Sequence, residues 1–125
     1  MTIAHICLFI AVLLPAVCAG LSKAGAFGLS DNRDPRHWQA QQTGWRARAV
    51  AAQANGFEAL PWLIAGLFVA SQRGTPQPVV DGLASAFVGL RLVYIALYLA
   101  DLATLRSLAW IGSVVCAAAL FFAGG

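Results

Sequence analysis

Four apolar segments, each close to the length of a membrane-spanning helix, dominate this sequence. They cover residues 2–21, 49–70, 83–99 and 108–123. Two of them contain no charged residue, and the other two contain one each, Glu58 and Arg91. A helix needs roughly 20 mainly apolar residues to cross the hydrocarbon core, and it satisfies its own backbone hydrogen bonds there. The segments therefore predict an all-α, integral membrane four-helix bundle with helices over approximately residues 2–21, 46–71, 80–100 and 106–123.

The balance of apolar and charged residues excludes an ordinary water-soluble domain. Hydrophobic residues make up 60% of the 125 residues and charged residues 10%, against about 25% charged in a typical soluble domain. This length suits one domain, here a single transmembrane domain over residues 1–125. The basic residues form no dense patch outside the apolar segments, so we expect no nucleic-acid partner. The three cysteines fit no zinc-ligand spacing, so we also expect no metal.

The first apolar segment has a second interpretation, a secretory signal peptide, because it is N-terminal and ends in small residues. A signal peptide opens with a basic stretch, whereas this chain opens Met-Thr-Ile-Ala-His. Cleavage would still leave three hydrophobic segments. A membrane-spanning first helix is therefore the favoured interpretation.

Basic residues are concentrated in two of the three connections between the predicted helices. Connection 22–48 carries five of them, connection 100–107 carries Arg106, and the connection between these two carries Arg73. Lys and Arg are enriched in cytoplasmic loops. We therefore expect the first and third connections in the cytoplasm and both termini outside.

Polar side chains inside the second and third predicted helices form two stripes. Each stripe spans an arc of about 80° at 100° per residue: Arg48, Asn55, Glu58 and Trp62 on one helix, and Arg91, Tyr94, Tyr98 and Asp101 on the other. Gln53 points elsewhere, roughly 140° from Arg48. Because a charged side chain in a bilayer costs at least ~2.5–3.5 kcal/mol, we expect Glu58 and Arg91 to face each other or a shared hydrated cavity.

Two interpretations of these stripes remain open. A Glu58–Arg91 pair alone would suffice to hold two helices together. The wider set, which continues to Arg106 and Ser107, exceeds what such a clasp requires. It lies toward the predicted cytoplasmic end and favours a pocket for a small, zwitterionic or anionic, peptide-like ligand, since arginines suit carboxylates. The tryptophans are assigned to the membrane interfaces, where Trp is favoured: Trp38, Trp45, Trp62 and Trp110.

Several stretches are similar to signatures of the MAPEG family, the membrane-associated proteins in eicosanoid and glutathione metabolism. Residues 48–61, RAVAAQANGFEALP, resemble its second-helix signature. Residues 91–98, RLVYIALY, with LRS at 105–107, look like its third-helix signature. Residues 31–38, DNRDPRHW, and 44–48, GWRAR, look like the bacterial branch with a long first loop, which implies a protein of the bacterial inner (cell) membrane.

The resemblance implies a homotrimer of four-helix subunits that binds glutathione between neighbouring subunits near the cytoplasmic face. It implies a membrane-bound, glutathione-dependent transferase or peroxidase that acts on small lipophilic electrophiles arriving from the membrane lipids. Arg106 would be the catalytic residue, because a nearby guanidinium raises the thiolate fraction of a thiol. Glutathione itself would be bound by Arg48, Gln53, Asn55, Glu58, Arg91, Tyr94, Tyr98 and Ser107.

One position departs from the pattern of the enzymatic members, which usually carry a second arginine three residues after the first. That position is Ala51. The missing guanidinium predicts either a low affinity for glutathione or compensation by Arg46 from the first loop. Two alternatives to an enzyme remain open, and Ala51 favours the first of them. One is a membrane protein of the same fold that binds a lipid or a thiol without turnover, and the other is a small transporter in which Glu58 carries protons.

Overall fold

The computed structural model describes residues 1–124 and contains helices joined by turns, with no strand in that part of the chain. Its α-helices are α1 (Ile3–Lys23), α2 (Pro35–Ala40), α3 (Gly44–Gln72), α4 (Gln77–Leu99) and α5 (Ala103–Phe122), and a 3₁₀ helix covers Asp31–Arg33. The helices α1, α3, α4 and α5 are each long and apolar enough to cross a membrane. The predicted all-α fold with four membrane-spanning helices is therefore confirmed.

Small residues bring the long helices close together. Gly56 on α3 lies beside α1, where an added Cβ would stand 2.9 Å from Pro15 Cγ. Gly66 lies against α5, where an added Cβ would stand 2.7 Å from the Ala117 carbonyl oxygen. Small side chains let membrane helices approach in this way. Many large apolar side chains point outward instead, as a lipid-facing surface requires, among them Phe9, Phe57, Phe68, Val115 and Phe122.

A tight turn joins α4 to α5 and sets the two helices against each other. Asp101 has a φ of 61°, in the left-handed region that Asp tolerates better than most residues. The next residue, Leu102, donates its backbone N–H to the Leu97 carbonyl over 3.0 Å. The chain therefore reverses within a few residues, and the start of α5 lies beside the end of α4.

The first connection folds back onto the bundle. Trp38 of α2 is 7% exposed and packs edge-on against Phe27, with 5.1 Å between the ring centres. The Lys23 ammonium lies 4.6 Å from the centre of the same Phe27 ring. These contacts hold α2 next to the end of α1, and α2 also packs against α3. The helix α2 therefore lies at the same end of the bundle as the α4–α5 turn, since Arg48 near the start of α3 bonds the end of α4.

Candidate functional site

The α4–α5 turn brings the predicted catalytic arginine next to the third-helix motif. Arg106 and Ser107 stand near the start of α5, and Tyr98 stands in the last turn of α4. The Arg106 Cζ atom lies 4.3 Å from the centre of the Tyr98 ring. A guanidinium over an aromatic face is attracted by the electrons of the ring. Tyr98 therefore restrains the position of Arg106.

Two adjoining recesses open on this side of the bundle and share Asn55 and Trp110. The inner recess, of about 280 Å³, is lined by Asn55, Tyr94, Tyr98, Arg106, Ser107 and Trp110. The outer recess, of about 210 Å³, is lined by Asn55, Glu58, Ala59, Trp62, Trp110 and Val114. Side chains from α3, α4 and α5 thus meet at one surface, which carries most of the predicted site residues.

A row of two tyrosines with an arginine at each end runs from the interior of the bundle to the inner recess. The Arg91 Cζ atom lies 4.1 Å from the centre of the Tyr94 ring. The Tyr94 and Tyr98 ring centres are 5.6 Å apart, and the rings meet edge to face at 85°. The Tyr98 ring in turn lies under Arg106. Since each contact limits the rotamers of the next side chain, the row fixes the positions of both tyrosines and of Arg106.

Arg91 lies behind the inner recess and does not line it. It is 3% exposed, and its Nη1 donates to Asn55 Oδ1 over 2.8 Å. Glu58 is exposed and borders the outer recess. We expected Glu58 and Arg91 to face each other or a shared hydrated cavity, but the structure pairs Arg91 with Asn55 and places only Glu58 at a recess. Arg91 is buried too deeply to reach a ligand, and it bonds Asn55, the residue that both recesses share.

Two arginines of α3 are engaged with the ends of other helices. Arg48 Nη2 donates to the carbonyl of Leu99, the last residue of α4, over 3.2 Å. Arg46 Nη1 donates to the carbonyls of Ser22 and Ala24, at the end of α1, over 2.8 and 2.7 Å. The last carbonyls of a helix have no partner within the helix, so these arginines complete the two ends. Arg46 does not line either recess and does not compensate for Ala51 within the subunit.

Gln53 belongs to a different face of α3. Its Oε1 accepts a hydrogen bond from Gln39 Nε2 of α2 over 2.9 Å. A separate cleft of about 480 Å³ lies here, lined by Lys23, Pro35, Arg36, Gln39, Ala40, Val50, Gln53, Ala54 and Phe57. Within one subunit, Gln53 therefore does not share a site with Asn55 and Arg106.

Trp110 borders both recesses, a position that its assignment to the membrane interface did not anticipate. Trp62 borders the outer recess as well. Trp110 follows Arg106 by four residues, a spacing that places two side chains on the same face of a helix. This spacing could have predicted that Trp110 lies at the site, where its ring forms an apolar wall.

The two recesses differ in hydrogen-bonding chemistry. The inner recess is rich in donors, since a guanidinium, two phenols, a hydroxyl and an indole line it. Glu58 supplies the carboxylate of the outer recess, where it suits an ammonium group. In the described part of the chain, no group of three or more His, Cys, Asp or Glu side chains could hold a metal ion. Together, the donors of the inner recess and the carboxylate of the outer recess suit an elongated organic ligand with an anionic part and a cationic part.

The family model described as "MAPEG family" matches residues 3–125. The chain belongs to the MAPEG family. This membership places it among integral membrane proteins related to glutathione and lipid metabolism. Neither the curated proteins nor the solved structures gave a significant match.

Proposed function

We propose that this MAPEG protein is a glutathione-dependent transferase or peroxidase that acts on lipophilic electrophiles from the membrane. The observation that carries the proposal is the position of Arg106, which is held over Tyr98 and lines one recess with Ser107 and Asn55. A positioned guanidinium stabilises the thiolate form of a bound thiol. Ser107 is placed to donate a hydrogen bond to the same sulfur.

The different chemistry of the two recesses sets the orientation of a bound glutathione. Its thiolate lies in the donor-rich inner recess near Arg106, and its ammonium group lies in the outer recess near Glu58. Asn55 stands at the boundary and contacts the peptide part of the ligand. The sulfur attacks the electrophilic carbon of the second substrate. A carbon–sulfur bond forms, and the leaving group departs with its electron pair.

The lipophilic substrate reaches the sulfur along the apolar wall of the same surface. Trp62 is 49% exposed and Trp110 is 40% exposed. Both side chains border the outer recess, which lies on the membrane-spanning parts of α3 and α5. A hydrophobic electrophile dissolved in the lipid can therefore approach without crossing water.

A homotrimer accounts for the separate position of Gln53. Its cleft contains Lys23 and Arg36, two cations that suit a carboxylate. If that face meets the Arg106 face of a neighbouring subunit, glutathione lies between the two and contacts Gln53 of the neighbour. The proposal includes a bacterial inner membrane location with this end of the bundle in the cytoplasm.

A binding assay and a turnover assay together test the proposed function. Purified protein in detergent should bind glutathione and conjugate it to an electrophilic nitroarene. Glu58→Gln should weaken glutathione binding about 10-fold, because a charge-assisted hydrogen bond contributes ~1.5–3 kcal/mol. The control is Asp101→Asn, which removes the same charge from the exposed α4–α5 turn and keeps a residue that tolerates positive φ. Equal affinity in Glu58→Gln and Asp101→Asn would contradict the assignment of Glu58.

A second candidate function, binding without turnover, is favoured by one observation. Position 51 is alanine, and Arg46 is held at the end of α1. The subunit thus lacks one cation that would bind and orient the peptide. Saturable glutathione binding that is sensitive to Glu58→Gln, with no conjugation of any electrophile, would identify this alternative.

Restoring the missing cation is expected to increase the affinity for glutathione. Ala51 lies one turn before Asn55 on α3 and therefore on the same face. Ala51→Arg should lower the glutathione Kd about 10-fold through a new charge-assisted hydrogen bond. Ala51→Met is the control, since it adds length without charge and should leave the Kd unchanged. Isothermal titration calorimetry on both variants measures the difference, and equal Kd values for the two would show that position 51 does not reach the ligand.

A further inference from the structure

We propose that Arg91 is a positioning residue that makes Asn55 a hydrogen-bond donor toward the ligand. The proposal rests on the proposed function, since the ligand is taken to be glutathione. Arg91 was expected to touch the ligand, but it is 3% exposed and stands behind Asn55. Its effect on the site therefore passes through the side chains that it contacts.

The chemistry of arginine decides the orientation of the Asn55 amide. The two ends of an asparagine amide have almost the same shape, and an unrestrained amide can present either end. A guanidinium has donors and no acceptor. The 2.8 Å contact from Arg91 Nη1 must therefore be made to Asn55 Oδ1. The other end of the amide, Nδ2, is left for the recesses that Asn55 lines.

Arg91 itself is held firmly. Its guanidinium lies against the Tyr94 ring at 4.1 Å, and Tyr94 is 4% exposed. The second terminal nitrogen, Nη2, is buried without a hydrogen-bond partner in residues 1–124. The bond to Asn55 and the contact with Tyr94 thus set the orientation of the guanidinium. A fixed Arg91 in turn prevents Asn55 from rotating.

This orientation gives the site a selectivity. A fixed Nδ2 donates to a carbonyl or carboxylate oxygen of the ligand and repels an N–H group at the same place. An aspartate at position 55 would still accept from Arg91, but it would present an oxygen to the ligand. We therefore expect Asn55→Asp to bind glutathione more weakly than Asn55→Ala, although it preserves the contact with Arg91.

A double-mutant cycle tests whether Arg91 acts through Asn55. The glutathione Kd is measured by calorimetry for the wild type, Arg91→Met, Asn55→Ala and the double variant. Each single substitution should raise the Kd about 10-fold, and the double variant should be no weaker than Asn55→Ala, because coupled residues are not additive. The melting temperature of each variant is measured beside its Kd, because Arg91→Met also removes the hydrogen bond to Asn55 and the contact with the Tyr94 ring and should lower it.

Each outcome of the cycle has a separate meaning. A wild type that binds no glutathione removes the proposed function, and with it this inference. A wild type that binds, combined with additive effects of the two substitutions, overturns the inference alone. If Arg91→Met does not fold, Arg91→Lys replaces it in the cycle, because lysine keeps the charge. Asn55→Asp needs no change at Arg91, and wild-type affinity in this variant would also overturn the donor assignment.

Discussion

Arg106→Ala is expected to lower the rate of glutathione conjugation about 100-fold. Arg106 lines the inner recess, and the Tyr98 ring holds it in place. Removing one preorganised group that stabilises negative charge in an active site costs ~10²–10³ in turnover. Without the guanidinium, the bound thiol ionises less, so fewer enzyme molecules carry the attacking thiolate at neutral pH. Initial rates with a nitroarene and saturating glutathione measure the loss.

The pH dependence and two further variants separate this mechanism from a structural effect. The rate of Arg106→Ala should rise toward alkaline pH, where the thiol ionises without help, more steeply than that of the wild type. Arg106→Lys should retain an intermediate rate, because an ammonium keeps the charge but not the planar fork of donors. Arg33→Ala removes an arginine from the exposed 3₁₀ helix and should keep the wild-type rate. Wild-type turnover in Arg106→Ala would remove Arg106 from the mechanism.

The fold could be predicted from sequence because lipid imposes simple rules on length and polarity. Four apolar segments close to the length of a membrane-spanning helix predicted four such helices, and the structure contains them. The angular arithmetic also grouped Asn55 with Glu58, and Tyr94 with Tyr98, on faces that meet in the structure. A helix fixes the direction of each Cα–Cβ bond, so short side chains and ring systems follow the prediction closely.

The contacts of the long side chains could not be predicted from the angular positions of their residues on the helices. Arg48 shares an arc with Asn55, yet its guanidinium reaches a carbonyl at the end of α4. Arg91 and Glu58 have opposite charges in neighbouring helices, yet Arg91 turns to Asn55. The choice of partner depends on the tilt and separation of the helices and on several rotatable bonds, which residue spacing does not specify.

The position of Gln53 shows a second limit of prediction from sequence. Its angle on α3 pointed away from Arg48, and the structure places it in a cleft with α2. The family resemblance nevertheless assigns it to glutathione. The angular positions of residues on a helix do not show which residues contact a ligand bound to a neighbouring subunit. The proposed homotrimer would reconcile these two assignments, which makes Gln53 the residue to follow in any test of that assembly.

Gly66→Ala is expected to destabilise the bundle by about 1–3 kcal/mol, the usual cost of overpacking. In an isolated helix the same change would be stabilising by ~1 kcal/mol, because alanine is the better helix former. The sign reverses here because the new Cβ would stand 2.7 Å from the Ala117 carbonyl oxygen and 3.0 Å from Leu120 Cβ. Ala117 and Leu120 are both fully buried, so α3 and α5 must separate to make room.

Gly89→Ala on α4 is the matched control, since an added Cβ there meets nothing within 4 Å. It should keep or slightly raise the melting temperature in detergent. A thiol-reactive dye can report melting of both variants, because Cys7 and Cys18 are buried in the folded protein. The outer recess is formed by the same two helices that Gly66→Ala separates, so this variant should also bind glutathione more weakly below its melting temperature. A Gly66→Ala protein that melts at or above the wild-type temperature would show that α3 and α5 are not packed so closely.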